Sequence, residues 1–132
     1  MEIIFFLALV LVVGLFLFWW LENRRARRIS PRKERVRKAW QKVEELARKD
    51  LEKAILAGDK LLDSLLKEMK IKGATTNERL KRAQKLFSNF RAVKGAHILR
   101  NKIVHEADFA LKEKEGRKAL RGFEKAIKEL LR

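Results

Sequence analysis

Cysteine is absent from this 132-residue chain, proline occurs once, at Pro31, and glycine only six times. Without a thiol there can be no disulfide framework, no cysteine nucleophile and no cysteine-based metal site, and the composition suits a reducing compartment. With so few breakers the chain keeps long unbroken stretches rich in Ala, Leu, Glu, Lys and Arg, which are strong helix formers. No segment alternates with period two, so no sheet is expected. No internal repeat and no low-complexity tract is present.

Charge is missing from one place. Ile3 to Leu21 is nineteen residues without a charged side chain, and Glu2 is the sole charge before Glu22. A helix of that length, at about 1.5 Å per residue, spans a ~30 Å hydrocarbon core, and only a helix pairs all its own backbone groups in lipid. Trp19 and Trp20 close the run where an aromatic belt belongs. A cleaved signal peptide needs a basic start, a shorter apolar core and small residues at the cut; Met1-Glu2, the long core and Trp-Trp-Leu fit none of these. The expectation is an uncleaved anchor in the cell (inner) membrane.

Basic residues follow at once. Arg24 to Lys38 holds nine, among them Arg24, Arg25, Arg27 and Arg28, against one acid, Glu34. The positive-inside rule then puts the N-terminus outside and the rest of the chain in the cytoplasm. Arg24, Arg25, Arg27 and Arg28 are expected at the membrane interface with Trp19 and Trp20, where basic side chains also attract anionic headgroups at about 1 kcal/mol each. The 17 acids less Glu2 leave 16 against 33 bases after the apolar run, a formal +17. That excess suits a polyanion such as RNA as well as a bilayer.

The expected organisation is an anchor over 1–21, a basic linker over 22–35 and a helical domain over 36–132. Ser30-Pro31 resembles a helix start. Val36, Trp40, Val43, Ala47, Leu51, Ala54 and Ile55, then Leu61, Leu62, Leu65, Leu66 and Met69, keep helical spacing. This is one long helix or two joined near Gly58, stopped at Gly73. Thr75 and Glu78 form a capping box opening a short helix with Leu80, Ala83, Leu86 and Phe87 inward. After a turn at Ser88-Asn89, a helix from Phe90 to about Ala107 carries Val93, Ala96, Leu99, Ile103 and Ala107 as its core stripe. Asp108 to Gly116 is expected to be a loop or broken helix, and the last helix turns Leu120, Phe123, Ala126, Ile127 and Leu130 inward. The fold class is therefore all-α: a transmembrane helix plus an antiparallel bundle of four to five helices.

Titratable chemistry concentrates in Ala96–Glu106, AHILRNKIVHE. His97, Asn101 and His105 fall at i, i+4, i+8 on one helix face, with Arg100 beside them. This stretch resembles the signature of the HEPN superfamily of small helical bundles: an arginine, a polar residue, and a histidine four to six positions after the arginine, here Arg100, Asn101 and His105. The helical order around it is similar too, over about Leu51 to Leu131. LAGDKLLDSLL and GATTNERLKRA with AHILRNKIVHE look like membrane-tethered bacterial members.

The resemblance implies a HEPN-like bundle and, for active members, an endoribonuclease that needs no metal or cofactor and works as a homodimer. Arg100 would hold a phosphate with its planar fork, His105 would transfer a proton near neutral pH, and Asn101 would orient His105 or donate to phosphate. His97, Asp59 and Asp63 are the supporting residues. The alternative is a non-catalytic membrane-tethered module that docks an unknown protein partner. There Arg100 pairs with Asp59 or Asp63, which lie at i, i+4, and Asn101 and His105 are satisfied polar groups. A zinc site at His97 and His105 lacks further ligands.

Overall fold

The computed structural model describes residues 1–26 and 29–132, without the side chains of residues 25 and 26. The interface roles expected of Arg25, Arg27 and Arg28 fall outside what is described. No strand occurs among the described residues. The chain divides into two units, Met1–Arg32 and Lys33–Arg132.

In the first unit, α1 (Glu2–Ala26) is apolar on every side. Ile3 is 76% exposed and Phe18 65%, so no protein core covers it. Its span from Glu2 to Arg24 is long and apolar enough to cross a membrane. Near its polar end the Arg24 guanidinium lies 3.8 Å from the centroid of the Trp20 ring, a cation–π contact.

α2 (Pro31–Lys49) begins at the proline, whose missing N–H is harmless in a first turn. Beyond its first residues, it belongs to the second unit. It buries Val36 and Val43 and half-buries Trp40, at i, i+7 and i+4. α3 (Leu51–Glu68) folds back along it. Arg35, near the start of α2, donates two hydrogen bonds of 2.9 and 2.8 Å to Glu68 at the end of α3. The break between the two helices is at Asp50, not Gly58. The Asp50 carboxylate accepts from the Lys53 N–H at 3.1 Å and caps α3, which restarts the helix after one non-helical residue. Gly58 sits mid-helix instead, where a Cβ would stand 3.1 Å from Phe123 and 3.6 Å from Trp40.

α3 is the central element. Ala54, Ile55, Leu62 and Leu66 are wholly buried, and Asp59 and Asp63 lie on the same side, 3% and 9% exposed. It ends in a Schellman arrangement: Ile71 N–H bonds to Leu66 O at 3.0 Å and Lys70 N–H to Lys67 O at 2.9 Å. The residue in the left-handed position is Lys70, at φ 62°. The stop thus comes three residues before Gly73.

α4 (Thr76–Arg82) is capped as expected at Thr75, whose hydroxyl accepts from the Glu78 N–H. Glu78 reaches back to the Ala74 N–H, at 2.8 Å, one residue beyond the usual capping-box partner. A 3₁₀ turn, Gln84–Leu86, follows. Its tighter period rotates Leu86 outward, to 46% exposure, and brings Phe87 in, so Leu86 does not belong to the core as expected.

α5 (Phe90–His105) starts at Asn89, which accepts from the Ala92 N–H. It ends at His105, because Glu106 is extended, and Ala107 is therefore exposed rather than in the core stripe. α6 (Glu113–Leu130) begins before Gly116, with Glu113 and Glu115 in its first turn, where acidic groups oppose the helix dipole favourably. Its buried face runs Gly116, Ala119, Leu120, Phe123, Ala126, Ile127 and Leu130. α3, α5 and α6 pack against one another around Phe123, with α4 against α3 and α5.

Candidate functional site

The polar face of α5 meets α3 inside the bundle. Asp59 and His97 are both buried, and His97 Nδ1 lies 2.7 Å from Asp59 Oδ1. One turn later, the Asn101 amide nitrogen is 3.3 Å from His97 Nε2. Arg100 Nη1 donates to Asn101 Oδ1 at 3.0 Å. The second Asp59 oxygen stands 3.5 Å from Arg100 Nε in an ion pair. That Nε is shielded from solvent and makes no hydrogen bond, so the pairing is Coulombic rather than a closed hydrogen bond.

The hydrogens in this cluster follow by elimination. Arginine has only donors, so Asn101 must turn its oxygen toward Arg100. Its NH2 then faces His97, and Nε2 must accept. The His97 hydrogen is therefore on Nδ1, where it is donated to Asp59. Every link is consistent only in this one arrangement, which runs Arg100 to Asn101 to His97 to Asp59.

Burial falls along the i, i+4, i+8 row. His97 is buried, Asn101 half-buried and His105 exposed. Among the described residues no hydrogen bond or ion pair joins His105 to Arg100 or Asn101. Arg100 keeps a third of its side chain in solvent. The structure thus gathers Asp59, His97, Arg100 and Asn101 and leaves His105 beside them on the same row. No group of three or more acidic or histidine side chains close enough to hold a metal ion occurs among the described residues.

Asp63 belongs to a different cluster. Arg79 of α4 donates to both its oxygens, at 2.7 and 3.1 Å, and also to the Gly73 carbonyl. Lys67 adds an ion pair at 2.9 Å. Burial pushes the Asp63 carboxyl up, but the bonds from Arg79 and Lys67 outweigh it and hold the group below its ordinary range. A Cβ on Gly73 would lie 2.9 Å from the Arg79 backbone nitrogen, so the glycine lets the loop close over the guanidinium. Sequence reading did not single out Arg79. The available signal was its place beside Leu80 on the inward side of a helix only seven residues long.

No family model, curated protein or solved structure matches this chain. The geometry of the α3–α5 cluster therefore carries the functional argument.

Proposed function

We propose that this protein is a HEPN-like domain held at a membrane by α1, with its bundle in the cytoplasm, and that it cleaves RNA without a metal. The observation that carries the reading is the Arg100–Asn101 pair, held at the edge of the bundle by the buried Asp59–His97 bond and set next to exposed His105. The basic stretch after α1 supports the cytoplasmic orientation.

The roles follow from the donors. Arg100 uses one N–H on Asn101 and has others for a phosphate. In cleavage, the ribose 2′-oxygen attacks phosphorus, the bond to the 5′-oxygen breaks, and a 2′,3′-cyclic phosphate and a 5′-hydroxyl result. Arg100 would stabilise the charge that builds on the phosphorane oxygens. His105 would take the 2′-hydroxyl proton or supply one to the leaving oxygen. A homodimer would place the second histidine needed for the other transfer.

The test is RNA cleavage in EDTA by the full chain in nanodiscs, beside Arg100→Ala and His105→Ala. The wild type is expected to cut and each variant to lose at least about a hundredfold. Cleavage that survives both substitutions sinks the reading.

A second reading rests on the Asp59–Arg100 ion pair, which bridges α3 and α5. In it Arg100 is structural and the bundle is a docking module for a protein partner. No cleavage by any form, together with a large fall in melting temperature for Arg100→Ala, is its signature.

A further inference from the structure

A groove of about 620 Å³ runs between α5 and α6, on a side of α5 separate from the Asp59–His97 cluster. Its lining includes the buried Ala96 and Ala119, with exposed Gly95 and Ile98, the latter 45% exposed, beside them. A Cβ at Gly95 would meet nothing within 4 Å. Its rim carries Arg91, Lys94, Lys102 and Lys118, with Glu115 as the single acid.

The ion pairs of the bundle are made by other cations. Arg35, Arg37, Arg117 and Lys128 each pair with an acid. None of the four on the groove is in an ion pair among the described residues. An apolar trough edged by unneutralised cations is complementary to one kind of rod, an amphipathic helix with an apolar stripe and acidic flanks. From Asn89 to Lys102 the α5 wall is about 20 Å long, so it accommodates roughly fourteen helical residues.

We propose that this groove docks an acidic amphipathic helix of a partner protein. Other occupants fit less well. The lining has no aromatic ring on which a base could stack. A second copy meeting the first through this face would bring eight like charges together. A bilayer surface is flat and would leave the trough unfilled.

The test uses the full chain in phosphatidylcholine nanodiscs and a fluorescent peptide of roughly fourteen residues, Leu at i, i+3, i+4 and i+7 and Glu elsewhere. Anisotropy is expected to show it binding about tenfold or more tighter than a scrambled peptide of the same composition. Gly95→Trp adds bulk to the trough while leaving every rim charge in place and is expected to remove that preference. Lys94→Glu with Lys102→Glu is expected to weaken binding about tenfold and to flatten its salt dependence. Circular dichroism melts confirm that each variant is folded. Equal binding of the scrambled peptide, or binding indifferent to Gly95→Trp, overturns the proposal. So does displacement of the peptide by single-stranded RNA that itself loses affinity in Gly95→Trp, because the groove would then belong to nucleic acid. None of these readouts depends on RNA cleavage at Arg100 and His105.

Discussion

His97 Nδ1 and Asp59 Oδ1 lie 2.7 Å apart, both buried, and they tie α5 to α3 at the level of Arg100. Nitrogen NMR of His97 should show the neutral tautomer with its hydrogen on Nδ1 and Nε2 accepting from Asn101. A hydrogen on Nε2 would contradict the cluster's hydrogen-bond order. Asp59→Ala leaves a buried imidazole donor unsatisfied, at about 1–3 kcal/mol. Each ~1 kcal/mol shifts a domain of this size by about 4–8 °C, so its melting temperature should fall by several degrees or more.

The Asp63–Arg79 pair makes the bundle acid-sensitive. The Asp63 carboxyl is held below its ordinary value of 3.8 in the folded chain. Its contribution to stability is therefore present above the unfolded value and is lost as pH falls through the folded one. Urea unfolding from neutral pH into the acid range should show stability declining below about pH 4. In Asp63→Leu with Arg79→Met that part of the decline should vanish. Removing Arg79 alone, as Arg79→Met, should cost more stability than the double variant, because the largely buried carboxylate then keeps only its Lys67 ion pair. An unchanged acid profile in the double variant would contradict the assignment.

Lys70 occupies the left-handed stop of α3, which costs an L side chain about 1–2 kcal/mol. Lys70→Gly should stabilise the bundle by about 1 kcal/mol. Thermal or urea unfolding checks this, and a destabilised variant would contradict the Schellman stop.

Two helical glycines should respond oppositely to alanine. At Gly116 a Cβ would stand 2.6 Å from the Leu51 side chain, so Gly116→Ala should cost about 1–3 kcal/mol. At Gly95 the space is open, and Gly95→Ala should gain about 0.5–1 kcal/mol from helix propensity. Paired melts of the two variants give the signs directly.

The apolar periodicity of Val36, Val43, Ile55, Leu62, Leu66, Leu120, Phe123 and Ile127 was enough to place the core, because a helix has one period and each of these residues falls on its buried face. The Thr75 cap and the Pro31 start were legible for a similar reason, since they are local events of one turn. Boundaries set by competition between neighbours were not. The Asp50 break, the Lys70 stop and the outward rotation of Leu86 each depend on which backbone bond wins at a junction.

What the sequence by itself determined is the division into an apolar helix and an all-helical basic bundle, together with the placing of His97, Asn101 and His105 on one row of α5. Those follow from hydrophobic run length and the 3.6-residue period, which need no partner element. Which carboxylate meets which cation was decided only by the tertiary structure. Asp59 and Asp63 share a face of α3, one turn apart. That single turn of rise separates what lies opposite them: α5 offers His97 and Arg100 to the first, and α4 offers Arg79 to the second. Helix periodicity gives the side on which a residue lies, while its depth along a neighbouring helix depends on how the two pack.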